Sequence, residues 1–165
     1  MIPAVGRHAR SAVVLLVALA GCATLWPQER RALHGPTAEE IWMARVLLAT
    51  AHEPSFDDRQ RWDDQMDQRL SQYLSRHPRL ANSIDVTSLR MARQVTVGME
   101  RELVLLLLGP PVLGAKEAAE IEKLARGYWP LVKVNKPTEA WLYPQGWRLF
   151  LDDARIVDIT QYLEP

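Results

Sequence analysis

The first sustained apolar pattern in the chain has the spacing of a helix. Within residues 38–52 it comprises Ile41, Ala44, Leu47, Leu48 and Ala51. Thr37 precedes it as a favourable N-cap, and Glu39 and Glu40 place carboxylates in the first turn, where the helix dipole favours them. The pattern therefore predicts a helix that begins after Thr37.

A second apolar stripe of helical spacing follows from about Asp57. Its members are Trp62, Met66, Leu70, Tyr73, Leu74 and His77. Pro78 predicts its end, because the residue before a proline is disfavoured in the helical region. We expect these two helices to pack as an antiparallel hairpin, followed by a third short helix over residues 85–93.

Six successive apolar residues, Leu103 to Leu108, stand between Gly98-Met99-Glu100 and Gly109-Pro110-Pro111. Glycine and proline end helices, so this segment predicts a helix over residues 100–108. At 100° per residue Leu103, Val104, Leu107 and Leu108 share one arc, which we expect to cover a sheet. Leu105 and Leu106 project elsewhere, and either the helical hairpin covers them or they form a docking site for a partner.

The last third of the chain changes from helical to alternating patterns. A helix is predicted over residues 115–126, and residues 131–134 have the composition of a strand or an extended connection. Strands are predicted over 139–143, 147–151 and 156–160, joined by short turns. The expected fold class is α+β, with N-terminal helices followed by a helix pair packed on a three-stranded antiparallel β-meander.

The N-terminus has the layout of a secretory signal. Arg7 and Arg10 precede an apolar run over residues 12–20, which is too short to span a bilayer. Leu19-Ala20-Gly21-Cys22 resembles the lipobox of bacterial lipoproteins, in which the signal is cut before an acylated cysteine. The alternative is an ordinary cleavage site with an unmodified Cys22. The resemblance implies a signal peptide over 1–21, lipidation of Cys22 and, because Ala23 follows, the periplasmic side of the outer membrane.

Residues 23–36 lack periodicity and end in Gly35-Pro36, so we expect residues 22–36 to form a tether; the roughly 14 residues after Cys22 reach at most about 46–50 Å when extended. We divide the remainder into a helical extension, 37–93, and an α+β domain, 94–165.

Composition narrows the classes of function. The chain has 165 residues, is 48% hydrophobic and 24% charged, and has zero formal net charge, so nothing indicates a nucleic-acid partner. Removal of residues 1–21 leaves 18 basic against 20 acidic side chains, a balance of −2. Cys22 is the one cysteine, which excludes an intrachain disulfide and a cysteine-based metal cluster.

The sequence contains neither a Gly-x-Ser-x-Gly nor a His-Glu-x-x-His motif, and its four histidines are scattered. Acidic residues near His52 and Glu53 lack metal-binding spacing and predict a solvated surface: Asp57, Asp58, Asp63, Asp64 and Asp67. The Asp152-Asp153 pair is interpreted as turn chemistry. We therefore expect no catalysis, no cofactor and no metal.

Several of these residues together resemble the BamE-type (SmpA/OmlA) lipoprotein domain. They are Gly98, Met99, Val104, Leu108, Gly109, Pro111, Trp141, Tyr143 and the closing segment 149–157. The resemblance implies two helices on a three-stranded antiparallel sheet and a non-catalytic accessory role in the envelope. Glu100 replaces the usual capping threonine, the connection 111–139 is long, and residues 37–93 have no counterpart in that family.

Two functions follow as hypotheses. The first is a scaffold or assembly module that binds another envelope protein, with Leu105, Leu106, Trp129 and Trp147 as candidate contact residues. The second is a module for an apolar or glycan ligand, peptidoglycan or lipid, because aromatic rings stack on sugars and grip lipid. It relies on the six tryptophans: Trp26, Trp42, Trp62, Trp129, Trp141 and Trp147.

Overall fold

The computed structural model describes residues 28–82 and 86–163, so the predicted signal peptide and Cys22 lie outside the described residues. The strands are Gln28–Arg31 (β1), His34–Thr37 (β2), Gln94–Thr96 (β3), Leu113–Ala115 (β4), Glu139–Leu142 (β5), Trp147–Leu151 (β6) and Ile156–Leu163 (β7). The helices are Ala38–Thr50 (α1), Phe56–Arg76 (α2), Pro78–Ala81 (α3), Val86–Ala92 (α4), Arg101–Leu108 (α5), Ala118–Ala125 (α6) and Trp129–Val132 (α7).

The α+β class is correct, but the sheet is larger than the predicted three-stranded meander. β5, β6 and β7 pair antiparallel as expected, and β4 and β1 extend them into the order β1-β7-β6-β5-β4. The two added strands are short and lack a clear alternation of apolar residues. β1 and β4 become strands because neighbouring strands offer them hydrogen-bonding partners, not because their own residue pattern favours a strand.

The expected tether over residues 22–36 is wrong from Gln28 onward. β1 pairs with β7 in register from Gln28 opposite Leu163 to Arg31 opposite Thr160, and β2 pairs with β3. Arg31 binds the buried carboxylate of Asp158 with two nitrogens, Nε at 2.8 Å from Oδ1 and Nη2 at 2.9 Å from Oδ2. This segment is therefore part of the folded sheet.

Helices cover both faces of the sheet. On one face a single core joins α1, α2 and α5 to the strands; its members include Ile41, Met66, Leu70, Tyr73, Val104, Leu107, Trp141, Tyr143, Leu149 and Ile159. A second core on the other face contains Ala115, Ile121, Ala125, Val132, Ala140 and Phe150. The helical segment 37–93 thus shares its buried residues with the sheet.

Residues 131–134 are helical rather than extended, which corrects the prediction. α7 begins near Pro130, which suits the first turn of a helix, and a 3-10 turn, Lys133–Asn135, continues it. Val132 is fully buried in the second core. Tertiary packing of Val132 and Trp129 in this core outweighs the strand preference of the segment.

The predicted stripes of the first two helices are only partly covered. α1 and α2 meet at Trp42 and Trp62, whose rings stack with centroids 4.9 Å apart. Leu47 and Leu48 in the last turns of α1 are 50% and 78% exposed, although the stripe predicted their burial. In α5, Leu106 packs against the main core, whereas Leu105 is 37% exposed. The core therefore covers Leu106 more fully than Leu105.

Candidate binding groove

A groove of about 1060 Å³ separates the end of α2 and α3 from the segment that leads into α5. Its apolar lining consists of Leu80, Leu89, Val97, Met99 and Leu103. Its polar lining includes Arg76, Arg79, Arg155, His34, His77 and Glu100. An apolar floor beside a small number of polar groups is the usual composition of a binding site.

Backbone hydrogen bonds hold the wall formed by residues 98–101. The Gly98 N–H donates to the carbonyl of Ile156 at 2.7 Å, and the Ile156 N–H donates to the carbonyl of Met99 at 3.0 Å. Gly98 has a φ of +89°, a conformation that glycine adopts without steric cost. Gly98 and Met99 therefore join this wall to the start of β7.

Glu100 connects three elements at the mouth of the groove. Its carboxylate accepts a hydrogen bond from Arg155 at 3.1 Å and a longer one from the Tyr73 hydroxyl at 3.5 Å. Glu100 is the N-cap residue of α5, but its side chain does not cap the helix. Glu100 therefore links α2, α5 and the β6–β7 turn.

Tyr73 is a neutral hydrogen-bond donor in this environment. Burial, followed by the negative charges of Glu100 and Glu102, raises the pKa of Tyr73 to about 12. Its ring stacks on His77 with centroids 3.9 Å apart. His77 Nδ1 lies 2.8 Å from the Tyr73 carbonyl, so Nδ1–H donates to it and ends α2. The predicted end of the second helix before Pro78 is confirmed.

The groove has an excess of positive charge. Arg76 and Arg79 form no ion pair with any residue in the described ranges 28–82 and 86–163. Arg155 is paired with Glu100, the single carboxylate among the lining residues. Three arginines therefore face one glutamate.

Most of the residues on which the BamE-type resemblance rests are structural. Val104, Leu108 and Trp141 are buried in the main core. The Tyr143 hydroxyl donates to the carbonyl of Gly109 at 2.8 Å, which fixes the loop containing Pro111, and burial raises the pKa of Tyr143. The groove contains two of the motif residues, Gly98 and Met99.

The four candidate contact residues do not form one site. Trp147 is only 4% exposed and lies under Arg30, whose guanidinium carbon is 5.0 Å from the ring centroid, so its prediction as a surface residue is wrong. Trp129 is half-buried on the far face of the sheet, in contact with the second core. Leu105 and Leu106 lie on α5 but do not line the groove.

Sequence reasoning missed the cationic side of the groove. Its signal was present as Arg76-His77-Pro78-Arg79-Leu80, a basic cluster around a helix end. By itself this cluster predicts only a helix boundary, because its proximity to Met99 and Leu103 depends on tertiary packing.

Three of the five aspartates of α2 have partners that hold the structure together. Asp58 forms a capping box with Ser55, and hydrogen bonds from Ser55 and Arg61 lower the pKa of Asp58. Asp63 and Asp67 both bind Arg93. Among the described residues no group of three acidic, histidine or cysteine side chains is arranged to hold a metal ion.

Asp152 accepts hydrogen bonds from two backbone N–H groups, those of Ala154 at 2.9 Å and Arg155 at 2.7 Å, which lower its pKa. The turn interpretation of this aspartate is confirmed.

None of the helices in the described ranges combines the length and apolar character needed to cross a bilayer.

Comparison with known proteins adds no relative. The chain matches no family model, no curated protein and no solved structure. The groove must therefore be interpreted from its own residues.

Proposed function

We propose that this protein is a non-catalytic scaffold or assembly module that binds another envelope protein from the periplasmic side of the outer membrane. The lipobox motif at Cys22 supports the location, with a lipid on that cysteine as the anchor. Outer-membrane protein assembly is one process that such a module can serve.

The groove is the observation that carries the binding role. Its floor offers apolar contact at Leu80, Met99 and Leu103, and its rim offers the guanidinium groups of Arg76 and Arg79. Arginine binds carboxylates with two parallel hydrogen bonds, which adds geometric specificity. A segment that alternates apolar and acidic side chains complements both features, so we assign the groove to such a segment of the partner.

The BamE-type resemblance remains a proposal for residues 94–165. The positions of Gly98, Met99 and Tyr143 at structural junctions support it. The five-stranded sheet with helices on both faces is larger than the layout that the family implies. For this reason we propose an envelope assembly role without assigning the protein to a particular complex.

A photo-crosslinking amino acid at Arg79, in the groove, tests the proposed function in cells. The matched control position is Glu120, an exposed residue of α6 on the far face of the sheet. We expect one discrete protein adduct at position 79, none at 120, and loss of most of the adduct when Arg76→Glu reverses a rim charge. Equal labelling at both positions, or an adduct that Arg76→Glu leaves unchanged, would refute the groove as the binding site.

Processing of the precursor tests the proposed anchor separately. Globomycin blocks cleavage before a lipidated cysteine, so we expect the precursor to accumulate in treated cells. Normal processing in the presence of globomycin would exclude lipidation at Cys22.

The aromatic-ligand alternative loses most of its basis. Trp141 and Trp147 are buried, and Trp42 stacks on Trp62. We therefore favour a protein ligand over a glycan.

A further inference from the structure

Residues 123–138 combine positive charge with exposed apolar side chains on the far face of the sheet. The segment contains four basic residues, Lys123, Arg126, Lys133 and Lys136, and no acidic residue. Leu131 is 49% exposed and Val134 is 71% exposed, three positions apart in consecutive helical turns. Apolar and cationic side chains therefore reach solvent from the same short segment.

Packing holds this segment in place. Val132 is fully buried and Trp129 contacts the same second core. Asn135 Nδ2 donates to the carbonyl of Val157 at 3.2 Å and to Asp158 Oδ2 at 3.1 Å. The exposed side chains consequently belong to a surface fixed on β7.

The same surface lies beside the start of β1. The Tyr128 hydroxyl donates to the carbonyl of Glu29 at 3.4 Å, and Arg126 lies 3.9 Å from the Glu29 carboxylate. Cys22 precedes Gln28 by six residues, which span at most about 20–22 Å when fully extended. A lipid on Cys22 would hold this part of the protein close to the bilayer.

We propose that residues 123–136 form a membrane-facing surface that binds anionic phospholipid. Lys123, Lys133 and Lys136 attract the negative surface of the bilayer, while Leu131 and Val134 enter the headgroup region. Two acidic groups beside this surface are engaged, since Glu29 faces Arg126 and Asp158 binds Arg31, whereas Glu122 is exposed next to Lys123. The inference goes beyond the proposed function and uses the lipid anchor only for proximity.

Hydrogen exchange of the mature, full-length lipoprotein in vesicles tests this surface. The probes are phosphatidylcholine vesicles and vesicles in which part of the phosphatidylcholine is replaced by phosphatidylglycerol. We expect amides of residues 131–136 to exchange about 5-fold more slowly on the anionic vesicles, and the difference to disappear at high salt.

The variant K123Q/K133Q/K136Q should lose this protection. A control with the same loss of charge, R61Q/R69Q/R90Q, changes exposed arginines of α2 and α4 and should retain it. Equal exchange on both kinds of vesicle, or equal protection in both triple variants, would overturn the proposal. Protection that needs an added protein would assign the surface to a protein instead.

Vesicle flotation, measured in parallel, separates this proposal from the anchor. If the protein floats on both kinds of vesicle but residues 131–136 are not protected, the result supports the lipid anchor and refutes the membrane-facing surface. If the protein floats only on anionic vesicles, the result supports the membrane-facing surface but not the lipid anchor. Failure to float on either refutes both.

Discussion

At the scale of single residues, the most informative group is the buried carboxylate of Glu139. Arg101 Nη1 lies 2.6 Å from Glu139 Oε2, and the Arg101 guanidinium carbon lies 4.8 Å from the Trp141 ring centroid. Burial acts to raise the pKa of Glu139, but hydrogen bonds from Trp141 and Arg101 outweigh it, and the pKa is below its ordinary value. The charged form is therefore stabilised by folding.

The sign of this shift predicts how acid affects stability. A folded-state pKa below the unfolded value contributes stability at a pH above the ordinary glutamate pKa of about 4.3, and the contribution is lost as the pH falls through the folded-state value. We expect Glu139→Gln to be destabilising at neutral pH and to flatten the acid limb of the unfolding free energy. Denaturant titrations at a series of pH values measure this effect. The exposed control Glu120→Gln should follow the wild-type curve, and a Glu139→Gln curve parallel to the wild type would contradict the assignment.

Gly146 provides a second prediction at this scale. It has a φ of +71°, and a Cβ there would lie 1.7 Å from the carbonyl oxygen of Tyr162. We expect Gly146→Ala to reduce the free energy of unfolding by more than about 3 kcal/mol, because backbone strain and steric overlap add. Gly98→Ala has a similar φ but open space around the new Cβ, so about 1–2 kcal/mol is expected. Equal losses in the two variants would exclude the steric contribution.

At the scale of elements, β1 marks the largest difference between expectation and structure. A segment of sequence Gln-Glu-Arg-Arg has no apolar alternation that predicts a strand. It pairs along β7, and Arg31 neutralises Asp158, whose side chain is 2% exposed. The pairing partner lies more than 120 residues away, as in Arg31 with Asp158. Local pattern cannot reveal such a contact.

Removal of the Arg31 side chain tests whether β1 belongs to the fold. Because Asp158 would lose its cation while remaining buried, we expect Arg31→Ala to lower the free energy of unfolding by about 1–3 kcal/mol. Arg61→Ala removes an exposed ion pair with Asp58 and should cost less than about 1 kcal/mol. Chemical denaturation compares the two. If β1 were only a tether, Arg31→Ala would leave the free energy of unfolding unchanged.

At the scale of the whole molecule, the helical segment and the sheet depend on each other. Ile41, Leu70 and Tyr73 lie in the same core as Trp141 and Leu149. β2, which leads directly into α1, pairs with β3, which leads toward α5. Neither part covers its apolar face without the other.

This shared core predicts one cooperative unfolding transition. Tryptophan fluorescence reports both the Trp42–Trp62 pair and the sheet residues Trp141 and Trp147, while circular dichroism reports the helices. We expect both signals to change at the same denaturant concentration. Leu70→Ala should move both midpoints together, with a loss of about 2–5 kcal/mol. A separate transition for the helices would contradict the shared core.

The sequence by itself determined the features that short-range chemistry controls. Thr37 and Glu40 form the capping box that begins α1, Pro78 follows the end of α2, and the three strands after residue 138 begin where they are predicted, at 139, 147 and 156. Helix caps, proline geometry and tight turns depend on neighbours within a few residues, so the local sequence is enough to predict them.

Tertiary structure alone decided which surfaces are buried and which residues form a site. β1 and β4 become strands because β7 and β5 offer edges, and Val132 makes its segment helical by packing on the far face. The groove exists because the fold brings Arg76 and Arg79, at the end of α2 and in α3, close to Met99, which precedes α5. These outcomes depend on contacts between distant parts of the chain, whose free energy of pairing and burial has no local signature.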